Sequence, residues 1–205
     1  MTLDSYKYYD RNGITIYCGD CREILPLLDV KVDLVLTDPP YGLGARLHDG
    51  GTWSTDPKYD AMLEWDIPIK DLSFLLSFPK IIIWGGNVYS LPPSRCWLSW
   101  VKYNNVPTMA DFELAWTNYE RPSKKCEGRI HPDGINQHPT QKPLYLMRFC
   151  VQWAKPEGII CDPFSGSGST LRTAMDLGYK AIGIEIEEKY CEIAVKRLAQ
   201  EVLPL

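Results

Sequence analysis

The chain has 205 residues, a formal net charge of −4 and a hydrophobic content of 45%. This composition is typical of a globular protein with a sizeable core and excludes a largely disordered chain. No apolar stretch reaches the length of a membrane span, and the first residues lack a basic start followed by an apolar core, so we expect a cytoplasmic protein.

The seven cysteines are odd in number and scattered along the chain, which favours reduced thiols over a disulfide framework. Cys18 and Cys21 have the CxxC spacing of redox and zinc sites. The sequence offers no second CxxC or histidine pair to complete four ligands, so we expect no metal site.

The first predicted elements are a strand, a short helix and a second strand. Ile14–Cys18 is short and rich in β-forming residues, and Val32–Thr37 has the pattern of a buried strand. Between them, Asp20 can cap a helix that ends near Leu28. The consecutive prolines at 39 and 40 cannot continue a central strand, because neither has an N–H for the ladder, so the chain must turn there.

The middle of the chain has fewer regular patterns. Residues 43–60 are rich in Gly, Asp, Thr and Pro and indicate a long loop. Residues 80–84 and 96–102 each predict a strand. Between 102 and 137, Phe112–Thr117 is the one ordered piece that we expect.

Regular patterns return at Pro143, which can occupy the first turn of a helix that runs to about Ala154. Residues 158–161 and 180–185 predict two further strands, and residues 169–177 and 187–201 predict two further helices. Alternating strands and helices with buried apolar strands predict a three-layer α/β sandwich with a mostly parallel sheet. We expect a single domain spanning residues 1–205.

A glycine-containing loop at 162–170 joins a predicted strand to a helix. Its glycines allow close backbone approach to a ligand, and the helix start offers free N–H groups. No Lys follows Gly168 as in a phosphate loop, and Leu171 stands where a GxGxxG motif has its third glycine. Glu185, at the end of the next strand, can accept hydrogen bonds from both hydroxyls of a ribose. The alternative is a structural turn with a solvated glutamate. Together, the loop and Glu185 favour a nucleoside cofactor site.

The segment Asp38-Pro39-Pro40-Tyr41 follows the predicted strand Val32–Thr37. It supplies a carboxylate acceptor, a fixed backbone carbonyl and an aromatic face within four residues. These features suit an exocyclic base amine. Asp38 and the Pro39 carbonyl can accept its two N–H groups, while Tyr41 stacks on a base extruded from the duplex. Alone, Asp-Pro-Pro is typical of a turn.

Together, the segments 17–21, 37–42, 138–143, 162–170 and 183–185 resemble the DNA amino-methyltransferases, in particular the permuted β group, in which the catalytic motif precedes the cofactor-binding motif. The resemblance implies a Rossmann-like S-adenosylmethionine-dependent methyltransferase fold with a circularly permuted motif order, and S-adenosylmethionine as cofactor. It assigns catalysis to Asp38, Pro39, Pro40 and Tyr41. It implies adenine contact by Asp20, and places Thr140 and Lys142 near the methionine carboxylate. The full implied cofactor set is Asp20, Cys21, Asp38, His138, Thr140, Lys142, Asp162, Pro163, Phe164, Gly166, Gly168, Ser169, Thr170 and Glu185.

The resemblance implies a site-specific DNA methyltransferase that transfers a methyl group to an exocyclic base amine. The DPPY form of the motif more often accompanies adenine N6, and cytosine N4 stays open as the alternative. An RNA or protein methyltransferase is disfavoured by the permuted motif order. A noncatalytic DNA-binding module is disfavoured because both half-sites look intact.

Double-stranded DNA is the expected partner, although a net charge of −4 means that local basic clusters must supply the binding. The segments left for target recognition, 43–60 and 104–137, are short, so we expect a short site, few base contacts or a homodimer. The basic run at 121–129 is, by itself, interpreted as a solvated loop. The candidate DNA contacts are Arg46, Lys58, Lys102, Arg121, Lys124, Lys125 and Arg129.

Overall fold

The computed structural model describes residues 2–42, 69, 71–103, 110–130 and 141–200. Within them, nine strands form one sheet. The strands are β1 (Lys7–Arg11), β2 (Ile14–Cys18), β3 (Val32–Thr37), β4 (Ile81–Trp84), β5 (Trp97–Lys102), β6 (Phe112–Thr117), β7 (Lys124–Gly128), β8 (Ile159–Asp162) and β9 (Ala181–Glu185). The α-helices are α1 (Cys21–Ile24), α2 (Leu144–Ala154), α3 (Ser169–Asp176) and α4 (Glu188–Leu198).

The centre of the sheet is parallel. Strands β2, β9, β8, β3 and β4 run in one direction, in that spatial order. At one end β1 pairs antiparallel with β2; at the other, β6 is antiparallel to β4 and β5, and β7 is parallel to β5. The carboxyl ends of the parallel strands, and of β5 and β7, therefore meet at one edge of the sheet, which we call the carboxyl edge. The prediction of a mostly parallel sheet is confirmed.

The strand side chains alternate between two hydrophobic cores. Leu34 and Leu36 of β3 pack in a core with the apolar sides of α2, α3 and α4, whereas Val35 packs with α1 and with Leu75. Because successive side chains of a strand point to opposite faces, this alternation buries both faces of the sheet. The result is the three-layer α/β sandwich predicted from the sequence. None of the helices in the described ranges is long and apolar enough to cross a membrane.

The region 121–129 corrects one expectation. We predict a solvated loop there, but β7 occupies Lys124–Gly128 and pairs with β5, from Leu98 opposite Lys124 to Lys102 opposite Gly128. Among the described strands, β7 is the last in the sheet. Charged side chains are common on such edge strands, because they face solvent and discourage pairing with other chains. The loop-like composition therefore conceals a strand.

The N-terminal region differs in two further ways. The sequence analysis misses β1, which joins β2 through Asn12 and Gly13, both with positive φ (53° and 77°). Asn-Gly is the preferred pair for a two-residue hairpin turn of this kind. The first helix is also shorter than expected. It ends in a 3₁₀ turn at Leu25–Leu27, where Pro26 has no N–H to continue the α-helical hydrogen bonds.

Candidate active site

A cavity that is partly open to solvent lies at the carboxyl edge beyond β3, β8 and β9. β3 and β8 are neighbours. The chain continues from β3 to β4 on one side and from β8 to β9 on the other side. Such switch points are where open α/β sheets bind ligands. The cavity brings both predicted half-sites together. The predicted site residues that line it are Asp38, Pro39, Pro40, Tyr41, Lys142, Asp162, Phe164, Gly166, Ser169, Thr170 and Glu185.

Four described residues of the implied cofactor set do not line this cavity. Asp20 caps α1 by accepting the Arg22 N–H at 2.8 Å and also binds the Arg22 guanidinium. Cys21 is buried in the core, and burial raises the pKa of its thiol to about 12. Gly168 has φ +79° at the start of α3, and a Cβ there would lie 2.9 Å from the Cβ of an alanine of α4. Pro163 is part of the turn between β8 and α3. Each of these positions has a local structural role, and its contact with the cofactor stays a prediction.

Other predicted residues lie outside the described ranges. They are His138 and Thr140 of the implied cofactor set, and Arg46 and Lys58 of the candidate DNA contacts. The segment 43–60 lies wholly outside, and only residues 110–130 of the segment 104–137 are described.

Asp38 follows directly after β3 and is held by two side chains. Its Oδ2 accepts a hydrogen bond from Lys142 Nζ at 2.6 Å, and its Oδ1 accepts one from the Tyr41 hydroxyl. Lys142 is buried and also donates to the Tyr41 oxygen at 3.3 Å. Burial raises the pKa of Asp38, Lys142 opposes this, and the negative charge of Glu113 adds to it, so the net shift is upward.

Glu113, on β6, is a member of this cluster that the sequence analysis did not single out. Its Oε1 lies 2.6 Å from Lys102 Nζ, and its Oε2 lies 3.2 Å from Lys142 Nζ. The Lys102 side chain is only 9% exposed and is paired with Glu113, which disfavours its predicted contact with DNA. A sequence pattern gives no direct signal for these pairs, because they depend on the pairing of β5 with β6 and on the approach of residue 142.

The turn after Asp38 is fixed by contacts with the neighbouring strand end. The Tyr89 hydroxyl donates to the Pro40 carbonyl at 2.5 Å. The Tyr41 ring packs so closely on Gly85, which has φ +65°, that any Cβ at position 85 would overlap the ring. Gly85 is thus required both by its backbone conformation and by the aromatic ring beside it. Burial raises the pKa of Tyr41 well above its usual value.

Glu185 closes the other end of the cavity, at the end of β9. Its Oε2 accepts the Gly166 N–H at 2.8 Å and its Oε1 accepts the Glu187 N–H at 2.9 Å. Burial raises the pKa of Glu185, and the backbone donors oppose this shift. A carboxylate oxygen has two acceptor positions, so each oxygen retains one for a ligand hydroxyl after these bonds.

Asp162 joins the two halves of the site at the base of the cavity. Its Oδ1 accepts hydrogen bonds from Thr37 Oγ1 at 2.7 Å and from the Phe164 N–H at 3.2 Å. Burial raises the pKa of Asp162 to about 6, although hydrogen bonds from Thr170 and Thr37 oppose the shift. Nearby, the Ser165 Oγ is buried and has no hydrogen-bond partner among the described residues.

Arg197 supports the glycine-containing loop from behind. Its Nη2 donates to Gln141 Oε1 at 2.6 Å and its Nη1 donates to Ser169 Oγ at 2.7 Å. Burial lowers the pKa of Arg197 to about 10, and the charge of Arg172 contributes. The sequence analysis missed it, because an arginine near the end of a helix usually faces solvent. It also missed the remaining lining residues, which are Gln141, Met147, Ser165, Ser167, Ile186, Glu187 and Tyr190.

The candidate DNA contacts of the β7 region lie at different edges of the sheet. Arg129 is exposed and follows β7 at the carboxyl edge, on the side of the cavity. Lys124 and Arg121 are at the opposite end of that strand. The Arg121 guanidinium lies 4.3 Å from the ring centres of both Tyr119 and Trp153, so its role is in packing. A DNA contact by Arg121 is therefore disfavoured.

The remaining Lys125 is exposed but already paired. Its Nζ lies 2.6 Å from Oε1 of Glu127, on the same strand. A surface pair of this kind contributes little free energy and can exchange partners. Lys125 therefore stays a candidate for contact with phosphate.

The seven cysteines are all free thiols. Over the described ranges, no group of three His, Cys, Asp or Glu side chains is arranged to hold a metal ion.

The cavity fits a cofactor that contains an adenosine. Glu185 offers acceptors for ribose hydroxyls, and Phe164 and Tyr190 add aromatic surface to the lining. The buried Ser165 hydroxyl is a further polar group without a protein partner in the described part of the chain. The Gly166 N–H holds Glu185 against the loop.

The family model described as DNA methylase (N6_N4_Mtase) matches residues 83–196, which is more than half of the chain. The chain belongs to the DNA methylase family. This membership confirms the resemblance to the DNA amino-methyltransferases, whose methyl donor is S-adenosylmethionine.

Similar proteins agree with this family. The chain is 28% identical to the type II methyltransferase M2.LlaDCHI of Lactococcus lactis subsp. cremoris, over 96% of this chain and 93% of that protein. It is 29% identical to the putative methylase YubD of Escherichia coli (strain K12), over 88% of each.

Solved structures of DNA methylases confirm the fold. The crystal structure of the M1.HpyAVI–SAM complex is 25% identical and superposes with a TM-score of 0.58, over 91% of this chain and 100% of that chain. The cytosine-N4-specific PvuII DNA methyltransferase is 16% identical with a TM-score of 0.59, over 93% of this chain and 88% of that chain, and this likeness concerns the fold alone. The predicted Rossmann-like methyltransferase sandwich is thus confirmed.

Proposed function

We propose that this DNA methylase transfers a methyl group from S-adenosylmethionine to N6 of adenine at a short site in double-stranded DNA. The observation that carries the proposal is the position of Asp38, which lines the same cavity as Glu185 and stands at its other end. The DPPY form of the motif, with Asp rather than Ser in front of the prolines, favours adenine over cytosine. Cytosine N4 is the alternative outcome of the experiment below.

Glu185 and the glycine-containing loop would hold the cofactor. Glu185 accepts hydrogen bonds from the ribose hydroxyls at its two remaining acceptor positions, while Phe164 and Tyr190 supply apolar surface. The resemblance assigns Lys142 to the methionine carboxylate, but Lys142 already contacts the carboxylates of Asp38 and Glu113. We therefore assign Lys142 to the acceptor end of the cavity.

Asp38 and Pro39 would orient the target amine. The lone pair of an exocyclic amine is delocalised into the ring, and two acceptors on its N–H groups favour a more pyramidal, nucleophilic nitrogen. When bound, the cofactor would supply a methyl group on a positively charged sulfur. The bond between this methyl group and the sulfur breaks as the nitrogen attacks, and the sulfur becomes a neutral thioether. Asp38 takes up the proton that the nitrogen then releases, and the upward shift of its pKa suits this role. No covalent bond between protein and substrate is needed.

The target base must leave the helical stack, because its exocyclic nitrogen is otherwise out of reach of Asp38. Tyr41 is the aromatic residue of the cavity nearest in sequence to Asp38, and it offers a ring on which an extruded base can stack. The buried contact of this ring with Gly85 fixes its plane.

The experiment is incubation of the protein with methyl-labelled S-adenosylmethionine and separate DNA, RNA and protein acceptors, followed by nucleoside analysis of the labelled DNA. We expect label in DNA alone, in N6-methyladenine. Label in N4-methylcytosine would overturn the choice of base, and label in RNA or protein would overturn the proposal.

Asp38→Ala tests the proposed catalytic role in the same assay. We expect a loss of activity of about 100-fold or more, with cofactor affinity retained in calorimetry. Asp29→Asn, which changes an exposed carboxylate remote from the cavity lining, is the matched control and should leave activity unchanged. A folded Asp38→Ala protein with nearly full activity would remove Asp38 from the mechanism.

A further inference from the structure

Four charged side chains form a row that leads from β5 to the proposed catalytic carboxylate. Lys102 Nζ lies 2.6 Å from Glu113 Oε1, Glu113 Oε2 lies 3.2 Å from Lys142 Nζ, and Lys142 Nζ lies 2.6 Å from Asp38 Oδ2. The signs alternate along the row, so the four formal charges sum to zero. Of the four, only Asp38 takes part in the proposed methyl transfer.

Glu113 holds the middle of this row in a fixed position. Glu113 stands opposite Trp100 in the antiparallel β5–β6 ladder, and Trp100 is buried. The next carbonyl of β6, that of Leu114, accepts the N–H of Gly85, the residue under the Tyr41 ring. The strand that carries Glu113 is therefore hydrogen-bonded to Gly85, the residue on which the Tyr41 ring packs.

The two contacts of Glu113 are different in kind. Lys102 makes a short ion pair with Oε1, whereas Oε2 is buried, is 3.2 Å from Lys142, and accepts no directed hydrogen bond among the described residues. The contact with Lys142 is thus mainly electrostatic. Glu113 therefore competes with Asp38 for the Lys142 ammonium group, although the contact between Lys142 and Asp38 is the shorter one.

The balance between these contacts decides how well Asp38 can accept the target amine. An ammonium held by one carboxylate alone binds that carboxylate tightly and makes it a weaker base. A second carboxylate on the other side of the ammonium weakens this hold. Asp38 then remains a usable acceptor for N–H groups and for the released proton.

We propose that Glu113 is a positioning residue of this methyltransferase: it holds Lys142 between two carboxylates and so keeps Asp38 available to the target amine. Glu113 acts through Lys142 and does not touch substrate. The proposal rests on the proposed role of Asp38 and adds a residue that the motif pattern does not contain.

Among the described residues, few charged or titratable groups surround Asp38. Lys142 and Tyr41 contact it directly, Glu113 lies behind Lys142, and Asp162 is close enough for the charge of Asp38 to raise its pKa. Among these groups, the negative charge of Glu113 raises the pKa of Asp38. Removal of its charge should therefore lower that pKa.

The test compares wild type with Glu113→Gln in two measurements. The first is the carboxyl carbon titration of labelled aspartate in the cofactor-free protein, with the Asp38 signal assigned through Asp38→Asn. The second is the pH dependence of kcat and KM for DNA methylation, with cofactor affinity from calorimetry. In Glu113→Gln we expect the pKa of Asp38 to fall by about one unit and the acidic limb of kcat to move to lower pH. The plateau of kcat should fall about tenfold, and cofactor affinity should change less than about twofold.

Three further variants make the result decisive. Glu113→Asp keeps the charge and should restore part of kcat. Lys102→Gln removes a positive charge and should shift the pKa of Asp38 upward, opposite to Glu113→Gln. Glu120→Gln removes an exposed acid paired with Arg95 and should change nothing. If Glu113→Gln fails to fold, as judged by thermal unfolding, Lys102→Gln and Glu113→Asp decide the question.

A folded Glu113→Gln protein with wild-type kcat and an unchanged Asp38 titration would overturn the inference, as would a loss confined to cofactor affinity. Failure of the proposed function looks different, because the wild-type protein itself would then place no methyl group on a DNA base amine.

Discussion

Lys142 Nζ lies 2.6 Å from Asp38 Oδ2, although 104 positions separate the two residues in the chain. The contact links the turn after β3 to the segment just before α2. Pro143 is the N-cap of α2, and the helix buries Leu146 and Met147 against the sheet. Packing of this helix therefore brings Lys142 to Asp38, so the acceptor end of the cavity depends on residues far from the DPPY motif.

Tyr41 can act through its ring or through its hydroxyl, and two substitutions separate these roles. Tyr41→Phe keeps the ring on Gly85 but removes the hydroxyl that donates to Asp38. We expect Tyr41→Phe to retain kcat within about tenfold. In Tyr41→Ala, kcat should fall by a further 10- to 100-fold, because this factor corresponds to about the free energy of stacking one base on an aromatic ring. Steady-state kinetics on a DNA duplex that contains the target site measure both. Equal losses in the two variants would show that the hydroxyl, not the ring, is required.

Glu185 should contribute to cofactor binding rather than to the chemical step. Glu185→Ala removes the acceptors for the ribose and also the partner of the Gly166 N–H. Loss of one hydrogen bond to a charged group costs about 1.5–3 kcal/mol, so the Kd for S-adenosylmethionine should rise at least about tenfold. Calorimetry measures this directly. Glu188→Ala, at an exposed position in the first turn of α4, is the control and should bind normally. An unchanged Kd in Glu185→Ala would remove it from the ribose site.

The parts of the fold that the sequence predicts are those in which burial controls the pattern. β3 is buried along most of its length, and its apolar run gives both bounds correctly. Glu185 and Asp38 can be predicted to lie near each other because each stands at the end of such a strand, and strand ends at a switch point meet in space. The missed strands β1 and β7 lie at the edges of the sheet and carry mostly exposed side chains, so they have no hydrophobic alternation to detect.

The ion pairs of the site could not be predicted for a different reason. Glu113 meets Lys102 because β5 and β6 are antiparallel neighbours, and it meets Lys142 because α2 covers the sheet nearby. Both facts belong to the tertiary fold, and no local spacing encodes them. From the sequence alone, Lys102 is therefore interpreted as a free basic residue at the end of a strand.

Asp162 should make stability depend on pH in a definite direction. Its pKa is raised to about 6 in the folded protein, above the value of 3.8 for an unperturbed group, so the folded protein binds this proton more tightly than the unfolded chain does. The contribution of Asp162 to the free energy of unfolding therefore falls as pH rises from about 4 to about 6 and is constant above that. The fall amounts to at most about 3 kcal/mol.

Asp162→Asn tests this contribution. An asparagine keeps a carbonyl oxygen that can accept the hydrogen bonds of Thr37 and the Phe164 N–H. Relative to wild type, the variant should therefore gain stability between pH 4.5 and pH 7.5, measured by urea unfolding at both values. Asp29→Asn provides the comparison at an exposed carboxylate and should show no such pH-dependent difference. A constant difference between Asp162→Asn and wild type across this range would contradict the prediction.

Arg129 and Arg121 should differ in their effects on DNA binding, because they lie at opposite ends of β7. Arg129 is exposed at the carboxyl edge, and its carbonyl is held by the Tyr145 hydroxyl at 3.0 Å. If it contacts a phosphate, Arg129→Gln should reduce the slope of log affinity against log salt by about one. Arg121→Gln should leave that slope unchanged and lower the melting temperature instead, because the Arg121 guanidinium packs between two aromatic rings. Fluorescence anisotropy over a range of salt concentrations measures the slopes. An unchanged slope in Arg129→Gln would exclude a phosphate contact by Arg129 at the end of β7.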